Sequence, residues 1–294
     1  MILVISSKSA YAAKRLLEEA RLRNLEPVSR GVRIGSNIKS RRASRSGLII
    51  MDMRRLVACN FKLDVNRYAT LYIRNPYLNG SPKYLPQIIK LASRFRQADK
   101  KVVDANIADG NIGRGKWADS KALLKAGLPI PNICIVHGRE LYKDKFPFIL
   151  KWIYGFKARN VFLVRNERQL RELLPLHPKK EWLAQEFIKA DYEYKIITVG
   201  YKALPVVLRF GINPDGFRVD FEKFKTVKSS SIPDIIRAAE KASSALGREL
   251  AKVDILQKGN RLYILEVNRF PGLDSFEQLA KYNVVKHFLK YLQK

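Results

Sequence analysis

Short apolar runs and amphipathic stretches alternate along the first hundred residues. The runs "MILVIS", "GLIIMDM", "ATLYIRN" and "KKVVDAN" predict buried strands. The stretch "SAYAAKRLLEEARLRNL" has apolar residues at helical spacing and predicts a helix capped by Ser9. "SPKYLPQIIKLASRFRQADK" predicts a second helix with a Ser-Pro start, and the basic stretch "GVRIGSNIKSRRASRSG" predicts a loop or hairpin. This order predicts a small α/β unit that ends near residue 108.

The remainder of the chain is richer in strands. The Gly/Asn-rich connector "ADGNIGRG" precedes a helix in "KWADSKALLKAGLPIP" that we expect to end at Gly127. The strands "FPFILKWI" and "NVFLVRN" flank a basic loop, and the helix "NERQLRELL" follows. Three further strands are predicted in "EWLAQEFI", "YEYKIITVG" and "KALPVVLRFG". A helix in "IPDIIRAAEKASSALGREL", a hairpin in "KVDILQKGNRLYILEVN" and a final helix in "VVKHFLKYLQK" complete the chain.

Composition narrows the classes of protein. The 294 residues favour two or three subdomains, and 47% hydrophobic residues exclude wholesale disorder. Cys59 and Cys134 are too far apart for a disulfide framework and do not cluster with the three histidines, which argues against a zinc site. The first apolar run is too short for a signal peptide, and no apolar stretch reaches about 18 residues. We therefore expect a soluble cytoplasmic protein that does not bind membranes.

The charge is the unusual part of the composition. Lysine and arginine total 56 against 27 acidic residues, which gives a net charge of +29. Such a field attracts nucleic acid, anionic lipid or acidic protein tails. The basic residues are spread over nearly the whole length, however, and a basic proteome produces the same distribution.

Oxygen-bearing residues interrupt the last two predicted strands. Glu266 and Asn268 are two apart, so their side chains share a face of the strand. A three-residue loop at 258–260 would place Asp254 opposite Ile264, and all three oxygen-bearing side chains would then point the same way unless a bulge intervened. Two carboxylates and an amide oxygen suit Mg²⁺. The alternative is a solvent-facing strand side with incidental polar residues.

Two lysines upstream are charged residues that follow stretches of uncharged or Gly-rich sequence. Lys151 ends the apolar run "FPFIL", and Lys116 follows the Gly-rich connector at the start of a helix. In a chain this basic, either lysine alone is most simply a solvated surface charge. They indicate a binding site only in combination with the oxygen-bearing face predicted at Asp254, Glu266 and Asn268.

The order of these parts resembles the ATP-grasp superfamily, and within it the RimK-like carboxylate–amine (alpha-L-glutamate type) ligases. The resemblance covers residues from about 110 to 280 and is most specific in "LGRELAKVDILQKGNRLYILEVNRFPGLDSFE". It implies an α/β (α+β) ATP-grasp fold. A small pre-grasp lobe (1–108) would precede two grasp subdomains (109–188 and 189–294), with ATP between them and the metal site in the second.

The resemblance also implies a role for individual residues. Lys116, Lys151 and Gly155 would contact the ATP phosphates. Glu186 and Ile188 would lie at the hinge that meets adenine, with Glu193 near the ribose. Asp254, Glu266 and Asn268 would hold Mg²⁺ or Mn²⁺, and Arg209 and Arg218 would lie near the transferred phosphoryl group.

This chain departs from the family pattern at several positions. Lys195 stands where Arg is usual, which keeps the charge but loses the bidentate fork, and Asp220 stands where Asn is frequent. In the loop after Gly155, Ala158 and Asn160 replace expected glycines. Asn adopts the left-handed conformation at small cost, whereas Ala pays more. Arg269 and Phe270 replace small polar residues after Asn268 and suggest a different substrate contact, or a basic wall for a carboxylate.

The implied activity is that of a ligase that forms a carbon–nitrogen bond while ATP is converted to ADP and phosphate. An amino acid such as glutamate would be added to an acidic protein or small-molecule acceptor through an acyl phosphate. One alternative is a nucleic-acid-binding protein on a degenerate ATP-grasp scaffold. Its phosphate contacts would lie in "RGVRIGSNIKSRRASR", although no recognised nucleic-acid motif supports it. Another is a nucleotide-binding pseudoenzyme, which the altered loop suggests.

Overall fold

The amino-terminal part of the chain forms a parallel sheet. The computed structural model describes residues 1–6, 10–23, 25–27, 47–74, 76–77, 82–112, 115–136, 146–154, 160–175 and 181–294. In spatial order the strands are β2 (Glu26–Pro27), β3 (Gly47–Met51), β1 (Ile2–Ile5), β4 (Thr70–Ile73) and β5 (Lys101–Val102). The helices are α1 (Tyr11–Leu22), α2 (Met53–Ala58) and α3 (Leu85–Gln97). The central strands β3, β1 and β4 are buried throughout because both faces of the sheet are covered.

A four-stranded antiparallel sheet occupies the middle of the chain. Its spatial order is β6 (Ile133–Ile135), β9 (Trp182–Glu186), β7 (Phe148–Trp152) and β8 (Val161–Val164). The accompanying helices are α4 (Gly115–Lys125) and α5 (Glu167–Leu173). Asn166 caps α5 by accepting a hydrogen bond from the backbone N–H of Gln169 at 3.0 Å.

The third sheet is antiparallel and has six strands. Its path is β13 (Val219–Lys228), β12 (Val206–Ile212), β10 (Tyr192–Val199), β14 (Leu250–Lys258) and β15 (Arg261–Asn268), with β11 (Lys202–Ala203) also paired to β10. Helix α6 (Pro233–Ala245) packs on one face, and α7 (Leu273–Ala280) and α8 (Val284–Gln293) pack towards the other. Alternate residues of β10 and β14 therefore belong to different apolar clusters.

The apolar cores cross the sequence-predicted boundaries. Leu123 of α4 lies in the same cluster as Ile196 of β10 and Ala239 of α6. Leu289 of α8 packs in a cluster that also contains Leu16 of α1. The last helices thus fill the space between the first and third sheets. The domain limits at residues 108 and 188 stay predictions.

The element predictions were confirmed for most strands and helices and wrong in particular places. Elements β6, β13, α2 and α7 were not predicted. Helix α3 begins at Leu85 rather than at the Ser-Pro pair, and Pro86 lies in its first turn. The N-cap of α1 is Ala10, and the predicted cap Ser9 lies outside the described residues, as does most of the basic stretch 31–47. No helix of the described chain is long and apolar enough to span a membrane.

Candidate functional site

The two upstream lysines are brought together by a close approach of α4 to the end of β7. Lys116 donates its backbone N–H to the carbonyl of Ile153 at 3.1 Å. The preceding Gly115 has φ +78°, and a Cβ there would lie 2.7 Å from Cγ2 of Ile153. Only glycine permits both the backbone conformation and the contact. The start of α4 is therefore held beside the strand that carries Lys151.

The three predicted metal ligands lie on one face of the β14–β15 hairpin, as the alternation predicted, but the register differs from the prediction. The turn has two residues, because Lys258 pairs with Arg261, and Gly259 adopts φ +55°. A bulge then shifts the pairing, so Asp254 lies opposite Glu266 and Lys252 lies opposite Asn268. The prediction missed both the shorter turn and the bulge. Each of them shifts the cross-strand pairing by one residue, so together they leave Asp254 on the same face as Glu266 and Asn268. The carboxylates are therefore direct cross-strand neighbours.

Ammonium groups surround these carboxylates in an arrangement that we call the lysine cluster. It comprises Lys116, Lys151, Lys195 and Lys252 with Glu193, Asp254 and Glu266. Lys116 Nζ lies 4.0 Å from Oε1 of Glu266. Lys195 Nζ lies 3.9 Å from Oδ1 of Asp254, and Lys252 Nζ lies 3.3 Å from Oδ2. Lys195 also donates to Glu193. Residues of α4, β7, β10, β14 and β15 thus converge on one place.

Burial shapes the protonation of the cluster. Burial lowers the pKa of Lys151 to about 8, with Lys116 adding to the effect and Glu266 opposing it. Burial alone would also lower the pKa of Lys195, but Asp254 and Glu193 more than offset it, so this pKa lies above its ordinary value. Burial raises the pKa of the Glu193 carboxyl against the opposing charge of Lys195. The site therefore contains one lysine that loses its proton easily and one that holds it firmly.

The residues present fit a hard divalent cation. Asp254 is only 8% exposed, and its Oδ1 is buried and accepts no hydrogen bond from the described chain. A buried carboxylate oxygen without a hydrogen bond is costly unless a ligand completes it. With Glu266 and Asn268 it offers two carboxylates and an amide, the oxygen donors that Mg²⁺ prefers. Among the described residues, no group of three or more His, Cys, Asp and Glu side chains is placed to hold a metal ion, so the candidate site depends on two carboxylates and an amide.

The residues predicted to contact the nucleotide base lie between β9 and the start of β10. Glu186 donates its backbone N–H to the carbonyl of Asn132 at 2.8 Å, and its carboxylate accepts from Nδ2 of Asn132 at 2.9 Å. The side chain of Ile188 is buried. Glu193 lies on the same face of β10 as Lys195. Their contacts with adenine and ribose stay predictions, and the N–H of Glu186 is already engaged.

The loop predicted to cover the phosphates is described only at its end. Gly155, Lys157, Ala158 and Arg159 lie outside the described residues. Asn160 adopts φ +58°, the left-handed conformation that the sequence predicts for an Asn in place of glycine. Its carbonyl accepts the N–H of Trp152 at 3.2 Å, which closes the β7–β8 connection.

The structure corrects the predicted position of Arg209. In the β10–β12 ladder, Arg209 is the cross-strand partner of Tyr194, whereas Lys195 pairs with Leu208. Cross-strand partners share a face, so Arg209 points to the α6 side, away from Asp254. Its guanidinium carbon lies 4.6 Å from the centre of the Tyr192 ring. A catalytic role beside the phosphoryl group does not follow from this placement.

Arg218 is also outside the lysine cluster. It lies exposed in the connection between β12 and β13, and its guanidinium carbon is 5.3 Å from the centre of the Phe217 ring. Asp220 nearby accepts the N–H of Glu222 at 3.0 Å and an ion pair from Lys223 at 3.2 Å. No described contact joins these residues to Asp254 or Glu266, so the role predicted for Arg218 stays a prediction without structural support.

Arg269 belongs to a second set of charged residues, which we call the arginine network. It comprises Arg248, Arg269, Asp104, Asp119, Asn106, Glu249 and Tyr291. Arg269 is 7% exposed and donates to Oδ2 of Asp104 at 3.0 Å and to the carbonyl of Asn111 at 2.9 Å. Asp104 Oδ1 accepts the N–H of Glu249 at 2.6 Å. Arg269 therefore does not form the expected wall for a substrate carboxylate, because its guanidinium is hydrogen-bonded to groups of the protein itself.

Sequence reasoning missed one member of the lysine cluster. Lys252 lies two residues before Asp254 on β14 and therefore on the same face. The signal was present in "LAKVDIL", where Lys252 interrupts an apolar strand at the same period as Asp254. Its distance to the carboxylate required the folded structure.

Comparison with known proteins places the chain in a family. The model of the RimK-like ATP-grasp domain matches residues 113–292. This range contains the whole lysine cluster and confirms the resemblance drawn from the sequence. The amino-terminal parallel sheet lies outside the matched range.

Individual relatives agree with the family match. A "Probable alpha-L-glutamate ligase" of Haemophilus influenzae is 26% identical over 190 residues, which cover 61% of this chain and 63% of that protein. The chain thus matches less than two thirds of that relative's length. A protein with the same description from Mannheimia succiniciproducens is 26% identical over 273 residues, covering 83% of this chain and 88% of its own.

A solved structure shows the same fold over nearly the whole chain. The ATP-grasp ligase PsnB, complexed with minimal precursor, Mg and ADP, superposes with a TM-score of 0.72 at 15% identity, covering 99% of this chain and 96% of its own. The predicted mixed α/β ATP-grasp architecture is confirmed. The superposition includes the amino-terminal sheet, which the family model does not reach.

Proposed function

Because the chain belongs to the RimK-like ATP-grasp family, we propose that it is an ATP-dependent ligase that joins an amino acid, such as glutamate, to a carboxyl group. One observation carries the proposal. Lys116 and Lys151, from α4 and β7, converge on the carboxylates of β14 and β15. Cations that suit phosphates thus lie next to oxygens that suit a divalent cation.

The reaction has two steps. An oxygen of the substrate carboxylate attacks the γ-phosphorus of ATP, and the bond from that phosphorus to the bridging oxygen breaks, so ADP leaves with the electron pair. The amine nitrogen then attacks the carbonyl carbon of the acyl phosphate. The carbon–oxygen bond to phosphate breaks and the nitrogen loses a proton. The products are ADP, phosphate and an amide.

The residues of the lysine cluster would act by position and charge. Lys116 and Lys151 would hold the phosphates, and the partial burial of Lys116 strengthens such contacts. Lys195 would balance the charges of Glu193 and Asp254. Mg²⁺ held by Asp254, Glu266 and Asn268 would neutralise the charge of the phosphates. No side chain needs to form a covalent intermediate.

The identity of the substrates is inferred from relatives and from charge. Relatives named as probable alpha-L-glutamate ligases support glutamate as the amino acid, and PsnB, solved in complex with a precursor peptide, makes a peptide a candidate acceptor. The net charge of +29 would attract an acidic acceptor. If this attraction contributes, the rate on an acidic peptide falls with rising ionic strength, whereas the rate on a neutral acceptor changes little.

An ADP-release screen tests the proposal. Amino acids are offered in pairs with acidic peptides or small carboxylic acids, and Asp254→Ala serves as the blank. Release of ADP that requires both substrates, with a product heavier by one amino-acid residue, supports ligation. Binding of ATP without turnover on any pair would favour the pseudoenzyme. Tight binding of RNA at physiological salt without nucleotide turnover would favour the nucleic-acid alternative.

A further inference from the structure

Lys252 lies at a defined position along the β10–β14 ladder that carries the site. In the β10–β14 ladder the cross-strand pairs run from Glu193 with Leu256, through Lys195 with Asp254, to Ile197 with Lys252. Each step of two residues advances about 6.6 Å along the strand. Lys252 is therefore one step beyond Asp254, on the side away from the segment that precedes β10.

This direction has a meaning for the nucleotide. If adenine lies at the segment around Ile188 and the phosphates lie at Asp254, the next step is where the terminal phosphoryl group leaves the nucleotide. Asn268, the last predicted metal ligand, is the cross-strand partner of Lys252. Lys252 is thus at the end of the site where the substrate carboxylate must arrive. This placement of Lys252 relative to the nucleotide rests on the proposed function.

The present contact of Lys252 conflicts with a loaded site. Its Nζ lies 3.3 Å from Oδ2 of Asp254, and Lys195 Nζ lies 3.9 Å from Oδ1. Asp254 is therefore already balanced by two ammonium groups. A divalent cation on the same carboxylate would repel both, since like charges a few ångströms apart repel more strongly in a partly buried site than in water. Lys195 retains a second partner in Glu193, whereas the only ion pair of Lys252 in the described chain is with Asp254.

Lys252 is also able to move. Its side chain is 22% exposed, and lysine carries its charge on a flexible stem of four carbons. Lys195, by contrast, donates a hydrogen bond to Glu193, and its Nζ lies 5.5 Å from the centre of the Phe210 ring. Of the two lysines at Asp254, Lys252 is the one that can leave.

We propose that Lys252 exchanges partners during the reaction. Its ammonium neutralises Asp254 before metal and nucleotide bind, and it then contacts the phosphoryl group as this group passes from ATP to the substrate carboxylate. Lys252 is in this sense a phosphoryl-binding residue of the ligase. The exchange also means that the empty site disfavours a free divalent cation and accepts one together with nucleotide.

Two measurements on one variant test the exchange. Lys252→Met removes the charge and keeps the length of the side chain. Binding of Mn²⁺ alone to the full chain, followed by electron paramagnetic resonance, is expected to become about tenfold tighter, because Asp254 loses a competing cation. The kcat for ADP release on the substrate pair found by the screen is expected to fall by about tenfold or more.

Controls separate this role from a structural one. Lys252→Arg keeps the charge and should retain weak Mn²⁺ binding. Lys202→Met removes the ammonium of a residue on the same sheet, which pairs with Glu240 of α6 at 2.9 Å. This variant should change neither the affinity for Mn²⁺ nor kcat. Melting temperatures identify a variant that fails to fold, in which case Lys252→Gln replaces Lys252→Met.

Each outcome has a definite reading. Tighter Mn²⁺ binding together with a lower kcat supports the exchange. Tighter Mn²⁺ binding with an unchanged kcat overturns it, since Lys252 would then be only a counter-ion. Unchanged Mn²⁺ binding overturns it as well. If no substrate pair releases ADP, the proposed function fails, while the Mn²⁺ measurement still reports separately on the competition at Asp254.

Discussion

The lysine cluster and the arginine network meet at the carboxyl end of β15 and use charged residues for different purposes. Glu266 and Asn268 belong to the candidate site, and Arg269 directly follows them. Arg269 makes four hydrogen bonds, to Asp104, Asn111 and twice to Asn106, at 2.9–3.2 Å. In the lysine cluster the ion pairs of Asp254 are 3.3 and 3.9 Å long, and one carboxylate oxygen accepts no hydrogen bond.

The difference follows from the chemistry of the two cations. A guanidinium offers a rigid fork that fixes several oxygens at once, whereas an ammonium is a point charge that can change partners. The fork of Arg269 joins the end of β15 to the amino-terminal lobe through Asp104, Asn106 and Asn111. The lysines leave oxygens available to a ligand. The hydrogen bonds made by Arg269 and Asp104, compared with the unbonded oxygen of Asp254, distinguish the set that holds the chain from the set suited to hold a substrate.

The largest expected effect comes from the lysine cluster and concerns activity. In Asp254→Ala we expect ADP release to fall by about a thousandfold or more, because the central oxygen donors are lost. The melting temperature should change by only a few degrees, since Lys195 keeps Glu193 as a partner and Lys252 is partly exposed to solvent. Asp234→Ala, at an exposed carboxylate paired with Arg237, is the control and should be active. Wild-type activity in Asp254→Ala would refute the metal assignment.

The arginine network should respond in the opposite way. Arg269→Ala would leave the buried Asp104 without its cation, and burial already raises the pKa of Asp104 to about 6. Breaking such a pair costs about 3–5 kcal/mol of unfolding free energy, measured by urea denaturation. The control Arg237→Ala breaks an ion pair exposed on both sides and should cost no more than about 1 kcal/mol. Equal losses in the two variants would contradict the distinction.

The pH dependence of nucleotide binding sharpens the comparison within the lysine cluster. The pKa of Lys151 is lowered by burial to about 8, so its ammonium is charged below that pH and neutral above it. The dissociation constant of a non-hydrolysable ATP analogue should therefore rise about tenfold from pH 7 to pH 9. Lys151→Arg keeps its charge in this window and should show a flat profile. A flat profile in the unaltered chain would exclude Lys151 as a phosphate contact.

The smallest effect expected is at the margin of the arginine network. Tyr291 of α8 donates its hydroxyl to Glu249, which in turn accepts the N–H of Asp104. Tyr291→Phe removes one hydrogen bond and should lower the free energy of unfolding by about 1 kcal/mol, without effect on Mn²⁺ binding. Tyr154→Phe, at a half-exposed ring, should leave stability unchanged. A loss of metal binding in Tyr291→Phe would show that the two sets are coupled.

Much of the fold was predictable because the signals are local. Apolar runs in β1, β3 and β4 and the helical spacing in α1 identify the parallel sheet and its helix, and the Pro and Gly residues around α4 mark where it ends. The elements that were missed are short or half-exposed. In β13 most side chains are exposed or only partly buried, so the strand lacks an apolar pattern.

The sequence by itself determined that Glu266 and Asn268 share a face, because side chains alternate along any strand. It also determined the family, through residues that stay in order along the chain. Tertiary structure decided the register, through a bulge that no local pattern announces, and it decided that Arg209 points away from the site. Tertiary structure also paired Arg269 with Asp104 and Lys252 with Asp254. Partners of a charged side chain come from distant parts of the chain, so only the packed molecule selects them.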